Sequence, residues 1–269
     1  MSAFTAEWLS LREPVDRAAR SQSLTRMAAD ALPPGRVRAL DLATGTGANV
    51  RYLAPNLPPD QDWLVVDSDD GLLNELPTHI DRSNLRGVRI ECQRVDLSDL
   101  ERSTIFEGRT LVSASALLDL VSEPWLLSLA EQCRRAGAVV LVALTYNGRI
   151  ACSPVEPADD IVRRLVNRHQ QTDKGFGPAL GPDACLRADW IFERLGFSVT
   201  RAPSDWELEP DARDLQKQLI DGWAGAAIEI NPDQATAIRH WQRRRHAHVD
   251  AEQSRIIVGH EDLVAIPRT

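Results

Sequence analysis

The chain has 269 residues, of which 43% are apolar and 26% charged, and its formal net charge is -8. That length fits one large domain or a domain with an insertion. The acidic balance argues against a nucleic-acid backbone or an anionic membrane as a default partner. No stretch approaches the roughly 20 consecutive apolar residues of a membrane span, and the charged segment 1–22 is not a signal peptide. The four cysteines (Cys92, Cys133, Cys152, Cys185) form no C-x-x-C pair, so no metal site is expected. Buried free thiols in a reducing, cytoplasmic compartment are expected instead.

Residues 6–32 carry Trp8, Leu9, Val15, Leu24, Met27, Ala28 and Ala31 at helical spacing, a helical cap over residues 1–35 that ends at "LPPG". Strand and helix signals then alternate. "VRALDL" (37–42) reads as a strand, "ANVRYLAPNL" as a helix, "DWLVVDS" (62–68) as a strand and "DDGLLNELPTHI" as a helix. "GVRIECQRVDL", "TLVSAS" (110–115) and "AGAVVLVALTY" (136–146) are further strands. Apolar strands alternating with helices are what a parallel sheet buried on both faces requires. The class is α/β, a doubly wound, mostly parallel, seven-stranded sheet with helices on both faces.

Beyond Tyr146 the alternation loosens into a lid-like insertion at about 147–182, with a helix in "PADDIVRRLVNRHQ" and a glycine- and proline-rich loop in "QTDKGFGPALGP". "DACLRADWIFERLGF" is a helix and "FSVTRAP" a strand. A second helical insertion covers about 210–249, where Asn231-Pro232 offers an N-cap and a first-turn proline. "SRIIVGHEDLVAIP" closes the sheet as a late antiparallel edge. Arg243, Arg244 and Arg245 follow one another on a helix and fan out around it, which reads as a solvated face.

The chemistry concentrates where the first strand meets a helix through Gly45-Thr46-Gly47. Glycine there lets the backbone turn and lets a ligand approach without a Cβ in the way. The following helix directs unpaired N–H groups at that place. The G-x-G-x-x-G of a dinucleotide site is broken, because Val50 stands at the third glycine, and no phosphate loop is present. Asp67 ends the second strand, where a carboxylate can accept both hydroxyls of a ribose. Asp96 ends the third, where it can take an amino proton of an adenine.

Together these segments resemble the class I S-adenosylmethionine-dependent methyltransferases. "LDLATGTG" is similar to that family's D-x-G-x-G-x-G loop, "VVDSDDGLL" to its acidic second-strand motif and "VDLSDL" to its adenine-contacting turn. "LVSASALLDLV" resembles its fourth-strand segment, and the likeness spans about Val37 to Tyr146. The chain departs from the pattern at Ala43, where the first loop glycine would stand, and at Thr110, where an acid is common. The resemblance implies a Rossmann-like methyltransferase fold with S-adenosyl-L-methionine as cofactor. It implies contacts from Arg20, Asp41, Ala43, Thr44, Gly45, Gly47, Asn49, Asp67, Ser68, Asp96, Leu97, Ser113 and Ser115.

Methyl transfer from a sulfonium requires alignment first, and a base where the acceptor is an amine or phenol. Asp119 after the fourth strand, Tyr146 beyond the fifth and His169 beside the glycine-rich loop are the candidate catalytic residues. Asp173 stands four residues after His169 as a possible orienting carboxylate, and Asn147, Lys174 and Phe176 belong to the same lid region. The expected acceptor is a small molecule, methylated on oxygen or nitrogen. The competing readings are an RNA or protein methyltransferase, a nicotinamide oxidoreductase, and a cofactor-binding protein without catalysis. The sequence carries no signal for oligomeric state.

Overall fold

The computed structural model describes residues 5–82, 85, 88–98, 100 and 104–268. Gly87, expected to open the third strand, and Asp99 lie outside the described residues. Five strands run parallel in the order β3-β2-β1-β4-β5: β1 (Val37–Leu42), β2 (Gln61–Asp67), β3 (Val88–Arg94), β4 (Leu111–Ser115) and β5 (Val139–Ser153). The last strand, β8 (Arg255–Pro267), pairs antiparallel with β5 on one side and with β6 (Phe197–Pro203) on the other. It is therefore interior, not the expected edge. Leu263, Val264 and Ala265 are all fully buried, which only a covered position allows. The path has seven strands, and the short β7 (Trp206–Leu208) pairs with β8 beside it.

The parallel strands are apolar on both faces because both are covered. On one face Leu40, Leu42, Val66, Val112 and Val140 pack against α5 (Glu123–Ala136) and α7 (Ala184–Arg194). On the other, Ala39, Trp63, Val65 and Leu141 meet α2 (Gln22–Asp30), α3 (Ala48–Leu53) and α4 (Asp70–Arg82). Each fully buried leucine or valine contributes about 1.5–3 kcal/mol of transfer free energy. A third cluster extends past the sheet, where Tyr146, Trp206, Leu215, Trp223 and Trp241 join β5 and β7 to α6 (Asp159–Gln170), α8 (Arg213–Ile230) and α9 (Ala235–Asp250).

Several expectations change. The N-terminal helical signal is two helices, α1 (Ala6–Ala19) and α2, broken at Arg20 because Ser21 leaves the helical run and its Oγ caps Leu24 N–H at 3.3 Å. Residues 147–153, expected in the lid, continue β5, since two register shifts absorb Asn147-Gly148 without ending the pairing with β8. Asn231 makes no side-chain cap bond. Arg245 is fully buried, ion-paired with Asp159 and donating to the carbonyl of Pro154 at 2.6 Å, so that stretch is not a uniformly solvated face. Arg244 pairs with Glu156 at 2.6 Å. Cys92 is exposed, whereas Cys133 and Cys185 are buried.

Candidate cofactor and acceptor site

A cavity of about 330 Å³ opens at the carboxyl ends of β1, β2 and β4. Asp41, Ala43, Thr44, Gly45, Asn49, Asp67, Ser68 and Ser115 line it, so eight of the residues implied by the resemblance share one hollow. Asp41 is fully buried and accepts three side-chain hydrogen bonds: Thr44 Oγ1 at 2.7 Å, Ser113 Oγ at 2.7 Å and Asn49 Nδ2 at 2.5 Å. Burial raises its pKa above the usual carboxylate range, while the bonds from Ser113, Thr44 and Asn49 and the nearby Arg20 oppose that rise. Ser113 thus acts beneath the cavity, through Asp41.

Asp67 accepts the N–H of Gly45 at 2.8 Å and of Asp69 at 3.0 Å. It does not cap α4. Asp69 does, accepting Gly71 N–H at 2.8 Å and Leu72 N–H at 3.3 Å. A carboxylate offers about four lone-pair sites, so Asp67 keeps capacity for a ligand. Gly45 is required sterically, because a Cβ at its φ of +55° would stand 3.0 Å from Leu9 Cδ1 of α1. Ala43 occupies the left-handed region at φ 50°, the conformation a glycine adopts freely.

Arg20 does not line the main cavity. It borders a neighbouring space of about 20 Å³ that also touches Asn49 and Ser115, room for one water-sized group. Its Nη1 donates to Asn49 Oδ1 at 2.8 Å, its Nε faces Asp262 Oδ2 at 3.6 Å, and its ring-stacking partner is Tyr52. Nε and Nη2 are buried without a hydrogen-bond partner. Gly47 shapes the loop as the left-handed start of α3 and lies off the lining. Leu97 is core. Asp96 is exposed and accepts Ser98 N–H at 2.9 Å, so the structure does not bring it to the hollow shared by Asp41 and Asp67.

Two of the three catalytic candidates are engaged elsewhere. Tyr146 donates its hydroxyl to Asn167 Oδ1 at 2.7 Å, and burial pushes its pKa up. His169 pairs with Glu229 at 3.0 Å and meets Lys174 Nζ at 3.3 Å, not Asp173. Asp173 instead accepts Gly175 and Gly177 N–H groups at 2.7 and 3.1 Å, shaping the loop that carries Phe176 into the cavity wall. Phe176 also meets Trp125 edge-on, 5.7 Å between ring centres. Asp119 is buried behind Leu117 and Leu120, which line the cavity; its Oδ1 has no partner. Burial lifts its pKa to about 6, against backbone hydrogen bonds and the charge of Arg12.

Sequence reading missed the α1 side of the cavity: Leu9, Arg12 and Asp16. The signal was present as an i,i+4 Arg–Asp pair on an amphipathic helix. Helix α1 is held down by Arg51, which reaches Glu13 with Nε at 2.9 Å and Nη2 at 2.5 Å.

No family model matches the sequence, and no curated protein matches it. Solved structures do resemble the fold. A candidate methyltransferase from Bacillus halodurans C-125 is similar at TM-score 0.52 and 15% identity, over 93% of this chain and 96% of that one. Strand order, the antiparallel β8 and helices on both faces agree with it. This is the class I S-adenosylmethionine-dependent methyltransferase fold. The YcgJ protein of Bacillus subtilis is similar to this methyltransferase-fold chain at TM-score 0.51 and 13% identity, over 92% of this chain and 99% of that one.

Proposed function

We propose that the chain transfers a methyl group from S-adenosylmethionine to an oxygen or nitrogen of a small-molecule acceptor. The observation that carries this reading is Asp67, fixed by the Gly45 and Asp69 N–H groups with open acceptor capacity at the wall it shares with Asp41. That arrangement suits a ribose at the end of β2. The buried, unpartnered Nε and Nη2 of Arg20 beside a water-sized space suit the carboxylate of the donor's amino-acid tail. Asp16, Asp41, Asp67 and Asp69 face the cavity against a single arginine, Arg12, a field that favours a cationic donor.

When bound, the cofactor supplies a methyl group on a positively charged sulfur. The chain supplies orientation: loop 43–49 and Asp67 fix one partner, while Leu9, Leu117, Leu120 and Phe176 enclose the space beside it and exclude water. Such alignment is worth roughly 7–11 kcal/mol of barrier. Asp119, with a pKa of about 6, is the candidate to take the acceptor's proton near neutral pH. The enclosure by α1 and Phe176 favours a small acceptor over RNA or a folded protein. Among the described residues no His, Cys, Asp and Glu cluster suits a metal, and no helix is long and apolar enough to cross a membrane.

Calorimetric titration with S-adenosylhomocysteine tests the reading. Micromolar binding is expected, with none for NAD; absence of binding by the first removes it.

A further inference from the structure

Resting on the methyl-donor reading above, we propose that the acceptor carries an oxyanion, a carboxylate or a phosphomonoester, on an apolar body, and that Arg12 binds that anion. Arg12 lines the cavity and is 9% exposed. Its guanidinium is held in one place. Nε donates to Asp16 Oδ2 at 2.8 Å, Nη2 to Asp16 Oδ1 at 3.1 Å, and the group lies 4.9 Å from the ring centre of Trp206. Trp206 Nε1 in turn donates to Asp16 Oδ1 at 3.0 Å. An arginine has five N–H donors, and two are used here. Nη1 has no partner among the described residues.

Arg51, on the other side of the same helix, shows what a purely structural arginine does in this chain. Its Nε and Nη2 bond Glu13, and its Nη1 donates to the carbonyl of Thr46 at 2.5 Å. Every nitrogen is used. Arg12 departs from that pattern only on the side of the cavity, and it makes no ion pair with Asp119 although it is close enough to stabilise that carboxylate. A fixed planar fork with spare parallel donors matches a carboxylate or phosphate better than any neutral group. The other polar groups of the wall are accounted for by the donor: loop 43–49 and Asp67, with Arg20 beside them. Leu9, Leu117, Leu120 and Phe176 leave an apolar space next to Arg12 for the rest of the acceptor.

The test uses the full chain with saturating S-adenosylhomocysteine and four probes of one size: benzoate, phenyl phosphate, benzyl alcohol and benzylamine. Ligand-observed NMR or calorimetry should find at least one of the two anions binding tenfold or more tighter than the alcohol and the amine. Which anion wins separates a carboxylate acceptor from a phosphorylated one. Arg12→Gln should remove that preference. Asp16→Asn should strengthen anion binding threefold or more, because asparagine still accepts from Trp206 while the competing charge is gone; a clamp serving only to hold α1 would not respond in that direction. Equal binding of all four probes by the wild type, an anion preference surviving Arg12→Gln, or anion binding weakened by Asp16→Asn would each overturn the proposal. Should Arg12→Gln fail to fold, the Asp16→Asn arm decides. Loss of S-adenosylhomocysteine affinity in Arg12→Gln would assign Arg12 to the donor and also overturn it. Titration of S-adenosylhomocysteine alone into the wild type reports separately on the methyl-donor reading; if that fails, the anion preference is measured on the free protein and still decides the role of Arg12.

Discussion

Asp119→Asn is expected to make the protein more stable at pH 8 and no more stable at pH 4. The carboxyl group is buried, one oxygen has no partner, and burial lifts its pKa from 3.8 to about 6. Because the folded-state pKa lies above the unfolded one, the folded chain binds this proton more tightly. The stability that the protonated group contributes is complete below about pH 4 and is lost as pH rises through 6. A shift of that size at about 1.36 kcal/mol per unit gives a loss of about 3 kcal/mol by pH 8, with roughly half gone at pH 5. Asparagine is neutral throughout and keeps an acceptor for the backbone N–H of Tyr146, so it escapes the loss. Urea unfolding of both proteins from pH 4 to pH 8 measures the difference directly, since other titrating groups, including the buried His260, cancel in the comparison. A gap of about 2–3 kcal/mol at pH 8 that closes toward pH 4 is expected. Equal stabilities at pH 8, or a gap that widens on acidification, would refute the assignment of Asp119 as a buried, uncompensated carboxyl. The same substitution should abolish methyl transfer if this group is the base, so stability and activity move in opposite directions.

Three further outcomes follow from the site and its supports. Asp67→Ala should weaken S-adenosylhomocysteine binding by about 1–3 kcal/mol in calorimetry, the cost of losing a charged acceptor; unchanged affinity would mean the end of β2 does not hold the ligand. Ala43→Gly relieves a left-handed alanine, worth about 1–2 kcal/mol, and adds unfolded-state entropy worth about 0.4–1 kcal/mol. A net gain of up to about 1 kcal/mol should appear as a rise in Tm, and a fall would show that the methyl group packs usefully. Arg245→Ala strands Asp159 beside Trp241 Nε1 and should cost about 3 kcal/mol in urea unfolding, the low end for a broken buried pair because Asp159 keeps some exposure. A loss under 0.5 kcal/mol would return that arginine to the solvated face expected from sequence.

The sheet was legible because its signal is local. "VRALDL" and "VVLVAL" are apolar on consecutive residues, and only a strand covered on both faces tolerates that. Asp67 was legible for the same reason, since it ends such a run. The tertiary features were not. Three successive arginines give no indication of which one turns inward, and Arg245 does so only because α6 places Asp159 opposite it. Asn147-Gly148 reads as a hairpin turn, yet β8 is long enough to keep pairing with β5 through Ser153. Arg12 and Asp16 look like an ordinary exposed i,i+4 pair, and they face a cavity only because Leu9 docks on Gly45 and Arg51 fastens the helix at Glu13.

Backbone strain marks the same edge of the sheet. Ala43, Ala116 and Leu144 adopt φ of 50°, 53° and 55°. They follow β1, follow β4 and interrupt β5, and the first two line the cavity. Non-glycine residues at such angles each cost of order 1–2 kcal/mol and persist only where surrounding contacts over-determine them. The contacts here are identifiable. Leu144 N–H donates to Asp262 Oδ1 at 2.8 Å, and Asp262 Oδ2 accepts Ser21 N–H at 2.8 Å while facing Arg20. Arg20 holds Asn49, which holds Asp41. The break between α1 and α2, the irregularity in β5 and the floor of the cavity are therefore one buried hydrogen-bonded unit. Ser21 leaves the helix because its N–H is taken by a carboxylate of β8, and that departure carries Arg20 inward beside the cavity. The α1–α2 break is thus as much a part of the site as the loop at Gly45.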